Sequence, residues 1–136
     1  MNILFFLTPK SDVAVIQAES TLRQTLEKLE VYGYTALPVV SRSGKYVGTI
    51  TEGDLLWYIK SHANLNLFDA EDVPLMKVKR KRDNAPVSIN ASMESLFDKV
   101  LNQNFVPVTD DDNIFIGIVT RKDVMTYLKN EQDKLK

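Results

Sequence analysis

The sequence predicts a mixed α/β fold (α+β) made of two copies of a β-α-β-β-α unit. One observation is a duplicated segment, because Gly48–Asp54 and Gly117–Asp123 share glycine, threonine and aspartate at a constant offset of 69 residues. Another is that each repeat contains a helix-like apolar stripe followed by a pair of hairpin-like apolar runs. Because a repeated unit rarely buries its apolar face alone, we expect the copies to pack as one folding unit with paired, pseudo-symmetric clefts.

The duplication extends beyond this segment. At the same offset, residues 38–60 and 107–129 share seven identities. Average composition gives about one or two. We predict repeats at residues 1–68 and 69–136, with a connector at about 61–86. This connector is long for a structureless loop, so we expect a helical turn near Asp69–Val73 that mirrors the amino-terminal segment.

The elements of the first repeat follow from local signals. An apolar run at Val13–Ile16 predicts a leading strand, and a capping-box threonine, Thr21, begins the first helix. Gly33 ends that helix, and Gly44 suits the left-handed position of the hairpin turn that follows. The second helix is predicted to begin at Thr51.

The second repeat has the same order. Val87–Ile89 supplies the leading strand and Ser92 opens the first helix. Asn104 occupies the place of Gly33 and is expected to end the helix. Asn113 suits the hairpin turn, and Thr120 opens the last helix.

Composition limits the possible chemistry. The chain has no cysteine and one histidine, His62, which leaves no Cys-His nucleophile pair and no histidine-rich metal site within one chain. The 17 basic and 18 acidic residues give no global electrostatic case for nucleic acid or an acidic membrane. The apolar run Ile3–Leu7 is too short to span a bilayer, so we expect a cytoplasmic protein with no membrane role.

Local charge runs have simple interpretations. Asp110–Asp112 lacks the spacing of a calcium loop, so we interpret it as a solvated turn and expect no metal site. Five of the six residues in Lys77–Arg82 are basic, which suits a solvated connector. Contact of these residues with ligand phosphates, a partner protein or nucleic acid is the alternative interpretation. Trp57 is interpreted as packing at an interface.

The repeated threonine and aspartate allow two interpretations. The first is helix capping, in which the threonine hydroxyl accepts a backbone N–H and the aspartate, at the third helical position, accepts the N–H of the threonine. The second is ligand binding, because a helix amino terminus suits a phosphate and a carboxylate one turn in can accept both hydroxyls of a ribose. The residues alone leave both open.

The runs Tyr34–Val40 and Gly48–Leu56, together with their second copy, resemble the tandem cystathionine-beta-synthase (CBS) domain pair over nearly the whole chain. This resemblance implies two β-α-β-β-α repeats packed sheet against sheet about a pseudo-twofold axis, and often a homodimer. It also implies a regulatory sensor of an adenine nucleotide, such as AMP, ATP or cyclic di-AMP, and no catalysis or catalytic cofactor. The nucleotide's occupancy would be signalled to a target protein that the sequence does not identify.

The resemblance implies two sites, each joining strand residues of one repeat to the threonine-to-aspartate motif of the other. The favoured nucleotide site comprises Ala14, Val15, Tyr34, Thr35, Ala36, Thr120, Arg121, Lys122 and Asp123. The second, weaker site comprises Ser88, Phe105, Val106, Thr51 and Asp54.

The ranking of the two sites rests on charge and length. Arg121 and Lys122 place two cations inside one motif, where the other motif has Glu52 and a glycine, so an anionic ligand should prefer the former. The alternative is that both cations are exposed and solvated. Repeat 2 is two residues shorter ahead of its first hairpin strand, so only repeat 1 presents Tyr34 and Thr35. Two rival functions stay open: a ligand-free structural or interaction module, and nucleic-acid binding through the basic connector.

Overall fold

The computed structural model describes residues 1–62, 65–66 and 68–135. These residues form four α-helices and seven β-strands. The helices are α1 (Leu22–Tyr32), α2 (Glu52–Lys60), α3 (Met93–Val100) and α4 (Arg121–Lys134). The strands are β1 (Thr8–Pro9), β2 (Ile16–Gln17), β3 (Ala36–Val40), β4 (Tyr46–Thr51), β5 (Val87–Ser88), β6 (Phe105–Thr109) and β7 (Phe115–Thr120). Short 3₁₀ turns occupy Ile3–Phe6, Lys10–Asp12, Asp69–Asp72 and Leu75–Lys77.

The chain divides into two compact units, each with one copy of the duplicated segment. The central unit is Ala14–Asp83, and the carboxyl-terminal unit combines Met1–Val13 with Asn84–Lys136. The compact units therefore do not follow the order of the chain. The repeat boundaries at 1–68 and 69–136 concern the sequence repeat and stay a prediction.

The central unit contains a three-stranded sheet in the order β2-β3-β4. Strand β2 runs parallel to β3, and β3 and β4 form an antiparallel hairpin. Helix α1 connects the parallel pair and α2 follows the hairpin, which gives the predicted β-α-β-β-α order. The core of this unit includes Ile16, Leu22, Leu37, Val39, Ile50, Leu55 and Leu75.

The carboxyl-terminal unit has the same core arrangement with one strand more. Its sheet has the order β1-β7-β6-β5, in which β5 is parallel to β6 and the other pairs are antiparallel. Its core includes Ile3, Phe6, Leu96, Val106, Val108, Val119 and Val124. The mixed α/β class and the duplicated unit are confirmed.

Most local predictions are also confirmed. Thr21 caps α1 in a reciprocal capping box, and Gly33 ends that helix with φ 68°. Gly44 and Asn113 adopt positive φ in the two hairpin turns, at 91° and 64°. In each case the determining interaction is local, so the residue type was enough to predict the conformation.

Two local predictions are wrong. The leading strand of the central unit is not Val13–Ile16 but begins at Ile16, which pairs with Val39 and is buried, whereas the preceding residues are half-buried and unpaired in the sheet. Asn104 does not end α3, because that helix stops at Val100 and its cap, Leu101, keeps right-handed α geometry. The carbonyl of Asn104 instead accepts the N–H of Arg121 at 2.9 Å.

Each unit is completed by a segment that precedes the other repeat in the chain. The amino-terminal strap (residues 3–12) lies in the carboxyl-terminal unit, where Phe6 is buried and β1 pairs with β7. The connector strap (residues 69–83, as described) lies in the central unit, where Leu75 is buried. Leu75 stands 69 residues after Phe6, in the register of the repeat. The predicted helical turn is confirmed at Asp69–Asp72.

The straps explain the repeated glycine. A Cβ on Gly48 would lie 2.5 Å from the Asp83 carboxylate of the connector strap, and a Cβ on Gly117 would overlap the Thr8 carbonyl oxygen of the amino-terminal strap. At Gly117 the neighbour is strap backbone, which leaves no room for a side chain, whereas at Gly48 the space is filled by the side chains of Asp83 and Arg80. Each strap also covers an edge strand that would otherwise expose unpaired backbone groups.

The connector strap also helps to bury a tyrosine. The hydroxyls of Tyr46 and Thr49 lie 2.7 Å apart, and the N–H of Thr49 donates to Asp83 at 2.9 Å. Burial raises the pKa of the Tyr46 hydroxyl to about 12, and the Asp83 carboxylate adds to the rise. The folded state therefore favours the neutral phenol.

We predict that Gly117→Ala lowers the free energy of unfolding by about 2 kcal/mol, because the methyl group forces β1 away from β7. Gly53→Ala is the matched control, since its Cβ would meet nothing closer than the Thr51 hydroxyl at 3.7 Å and alanine favours a helix. Urea denaturation measures both. Equal midpoints for the two variants would contradict the strap contact.

We also predict an alkaline loss of stability that depends on Tyr46. Its folded pKa of about 12 exceeds the ordinary 10.0, so its contribution is complete below pH 10 and is lost as the pH rises through 12. The Tyr46→Phe variant should lose less stability between pH 9 and pH 11.5 than the parent chain, as measured by urea midpoints. Parallel curves would contradict the prediction.

Candidate functional site

Both threonine-to-aspartate motifs lie at the amino terminus of a helix. The hydroxyl of Thr51 accepts the N–H of Asp54 at the start of α2, and the hydroxyl of Thr120 accepts the N–H of Asp123 at the start of α4, both at 3.1 Å. The motif therefore does cap a helix, as the first interpretation requires. The two aspartates, however, have different surroundings.

The carboxylate of Asp54 is enclosed. Only 5% of this residue is exposed. One oxygen accepts the N–H of Thr51 at 3.1 Å and the other accepts the N–H of Lys81 at 3.0 Å. Asp54 thus completes a capping box and holds the connector strap, which leaves its carboxylate poorly placed to receive a ligand.

The carboxylate of Asp123 is exposed and accepts no hydrogen bond from any described residue. It lines a groove of about 360 Å³ between α4 and the amino-terminal strap. The other lining residues are Phe5, Phe6, Leu7, Thr8, Thr126, Tyr127 and Asn130. A free carboxylate, a capped helix terminus and aromatic rings therefore meet on one surface of the carboxyl-terminal unit.

Aromatic rings form one wall of this groove. Phe5 and Phe6 both contact Tyr127 edge to face, at ring-centroid distances of 5.4 and 5.3 Å, and Phe5 is 60% exposed. In the sequence, the length of the run containing Phe5 and Phe6 indicated only that it cannot span a bilayer, so its place in the groove was not predicted. The adjacent phenylalanines were a signal, but their partner Tyr127 is more than a hundred positions away in the chain.

The two cations of the second motif do not point the same way. Arg121 donates from Nε to the carbonyl of Val100 at 2.7 Å, which caps the carboxyl terminus of α3. Lys122 lines another face of α4, with Met125, Leu128 and Lys129, and not the groove of Asp123. That both cations bind one phosphate stays a prediction. The Nε of Arg121 already donates to Val100, so only its other N–H groups are available to a ligand.

The strand residues of the favoured site lie in the central unit. Ala14 and Val15 are half-buried ahead of β2. Tyr34 is 50% exposed and stacks on Tyr32, with centroids 5.7 Å apart and planes 17° apart, a pairing that the sequence analysis missed. The two residues that follow it are ordered by α2 and β4, since the carbonyl of Thr35 accepts the N–H of Glu52 at 2.9 Å and Ala36 pairs with Thr51.

The strand residues of the weaker site lie in the carboxyl-terminal unit. Ser88 is half-buried and its hydroxyl accepts the N–H of Asn90 at 3.1 Å. Phe105 is buried opposite Thr120. Val106 is fully buried in the core, so only its backbone can meet a ligand. The joining of each strand set to the motif of the other repeat stays a prediction.

Neither a metal-ligand cluster nor a membrane-spanning helix occurs among the described residues. They contain no group of three or more acidic or histidine side chains arranged to hold a metal ion. Asp110 uses one carboxylate oxygen to accept the N–H groups of Asp112 and Ile114, both at 2.9 Å, as expected of a turn. No helix in the described ranges has the length and apolar character needed to cross a bilayer.

Comparison with known proteins assigns both repeats to one family. The family model for the CBS domain matches residues 6–61 and 76–130. The chain is 30% identical to cyclic di-AMP receptor B of Bacillus subtilis, covering 90% of this chain and 83% of that protein. It is 34% identical to cystathionine beta-synthase of Dictyostelium discoideum over 88% of this chain, and spans 24% of that enzyme.

The fold also matches a solved structure. CbpB in complex with c-di-AMP superposes with a TM-score of 0.88 at 26% identity, covering 99% of this chain and 89% of that one. The family match covers both repeats, and each unit carries the capped helix that follows the duplicated glycine. The chain therefore belongs to the CBS domain family, as a tandem pair of CBS repeats.

Proposed function

We propose that the chain is a regulatory CBS pair that binds an adenine nucleotide and signals its occupancy to a partner protein. The observation that carries this proposal is the free carboxylate of Asp123 beside the capped terminus of α4. Similarity to cyclic di-AMP receptor B and to CbpB, which was solved with c-di-AMP, makes cyclic di-AMP the first ligand to test, ahead of AMP and ATP.

The ribose and phosphate each have a suitable partner in the carboxyl-terminal unit. Asp123 has both oxygens available to accept from the hydroxyls of a ribose, whereas Asp54 already accepts two N–H groups. The amino terminus of α4 adds a partial positive charge that favours a phosphate. This difference supports the ranking of Thr120–Asp123 above Thr51–Asp54.

An aromatic surface suits the base. Tyr34 is held by stacking on Tyr32 and keeps half of its surface exposed, so a purine can stack on it without reordering the side chain. In this proposal the backbone of Thr35 and Ala36 positions Tyr34, and Arg121 orients the start of α4 while its remaining N–H groups face the ligand.

The proposal includes no catalytic step. The sequence has one histidine and no cysteine, and His62 has its Nδ1 2.7 Å from the carbonyl of Tyr58. A cytoplasmic location and a partner protein that receives the signal belong to the same proposal. So does a homodimer, which is supported by exposed apolar side chains on the second helix of each repeat: Leu56, Met125 and Leu128.

A ligand-free interaction module is the second candidate. It is favoured by Thr51 and Asp54, whose hydrogen bonds are fully explained by capping and strap attachment. Nucleic-acid binding through Lys77–Arg82 has less support, because Arg80 is already paired with Asp83 at 2.8 Å.

A thermal-shift panel separates these candidates. AMP, ADP, ATP, cyclic di-AMP, S-adenosylmethionine and GTP are each added to the full chain. A bound ligand at one hundred times its dissociation constant should stabilise the fold by ~2.7 kcal/mol. We expect this response from at least one adenine nucleotide. A flat panel would favour the ligand-free module.

Exchanging the two aspartates for asparagine tests the site itself. Asp123→Asn should weaken binding of the best nucleotide by about tenfold, because a charge-assisted bond to the ribose is lost, and should leave stability nearly unchanged. Asp54→Asn should lower the free energy of unfolding by about 2 kcal/mol, because its amide cannot accept both N–H groups. Calorimetry and urea denaturation measure the two effects. Equal loss of affinity in both variants would refute the ranking.

A further inference from the structure

A second surface of the central unit has a chemistry that the proposed nucleotide site does not use. A cleft of about 730 Å³ lies between the carboxyl-terminal half of α2 and the connector strap. We call it the basic cleft, because Lys77, Lys79 and Lys81 all line it. Its volume falls in the range typical of small-molecule sites.

The connector strap holds these lysines along one side of the cleft. Val78 is 2% exposed in the core, and Arg80 is paired with Asp83, so the residues between the lysines anchor the strap. The N–H of Lys81 is fixed by Asp54 at 3.0 Å. All three lysines are exposed, and all three line the same cleft.

The charge of the cleft is not balanced by the protein. No acidic side chain in the described ranges forms an ion pair with any of the three lysines. Asp54 is the one carboxylate among the lining residues, and both its oxygens already accept N–H groups. Clustered cations repel one another unless an anion lies between them.

Aromatic side chains form the opposite wall. Trp57 is 56% exposed, and the rings of Tyr58 and His62 stack with centroids 4.0 Å apart. Ser61 also lines the cleft and offers a hydroxyl. The cleft thus combines a row of cations with flat apolar surface, and has no available carboxylate to hold a ribose.

We infer that the basic cleft binds an oligophosphate, meaning a chain of two or more linked phosphates, either inorganic or as part of a nucleotide. A row of three lysines matches an extended polyanion better than a single phosphate, and lysine recognises phosphate as a point charge. This site is separate from the one at Asp123, so the chain would sense two chemically different anions.

The chain carries its own reporter for this test. Trp57 is the single tryptophan of the sequence and lines the cleft, so its fluorescence reports occupancy directly. Titration of the full chain with inorganic triphosphate should give a saturable change that weakens with added salt. The Lys77→Gln/Lys79→Gln/Lys81→Gln variant should lose affinity by about tenfold or more, on the scale of three exposed ion pairs.

The matched control removes the same charge elsewhere. Lys10→Gln/Lys28→Gln/Lys45→Gln should bind triphosphate within about twofold of the parent, since none of these lysines lines the cleft. If the cleft variant does not fold, Lys79→Glu alone keeps the test, and it should lose about as much affinity through one charge reversal. Equal losses in the control and cleft variants, or no fluorescence change with triphosphate, would overturn the inference.

Titrations with other anions identify the class of ligand. Equal affinity for inorganic triphosphate and ATP would assign recognition to the phosphate chain, and tighter ATP binding would add stacking on Trp57; both support the oligophosphate site. Tighter binding of a single-stranded oligonucleotide would overturn it in favour of nucleic acid. Asp123→Asn should leave the triphosphate titration unchanged, so failure of this inference is distinguishable from failure of the proposed nucleotide site.

Discussion

Close contact between a sheet glycine and a strap is the constraint on which both units depend. Gly117 lies against the backbone of β1, and Gly48 lies against the side chains of Asp83 and Arg80 in the connector strap. The contact closes the edge of each hairpin and buries the apolar anchors of the strap. In the central unit the strap also donates the N–H of Lys81 to Asp54, and this bond occupies one of the two carboxylates of the duplicated motif.

Local chemistry made much of the fold predictable. The capping threonines, Gly33, Gly44 and Asn113 each act through bonds within a few residues, and their types suffice to place helix starts and turns. The leading strand at Ile16 and the early end of α3 depend on pairing and packing with distant residues. The hydrophobic pattern alone therefore did not predict where this strand begins or where this helix ends.

In the candidate site, too, local features were predictable and long-range contacts were not. Asp54 and Asp123 occupy equivalent positions in a repeated motif, and the charges beside them predicted that they differ. The structure adds the larger cause, since the N–H that occupies Asp54 comes from Lys81, 27 residues further along the chain. The cations that motivated the ranking act differently from expectation, because Arg121 caps α3 and Lys122 lies on another face.

The placement of the amino-terminal strap sets the order in which the chain can fold as the ribosome makes it. All residues of the central unit have been synthesised once Asp83 has been added. The carboxyl-terminal unit pairs Thr8 with Ile118, so a segment made before the central unit must wait for one made after it. Closing so long a loop is slow and leaves Ile3 and Phe6 without their core partners meanwhile. The central unit can therefore fold first, and the carboxyl-terminal unit, which holds Asp123, is completed after it.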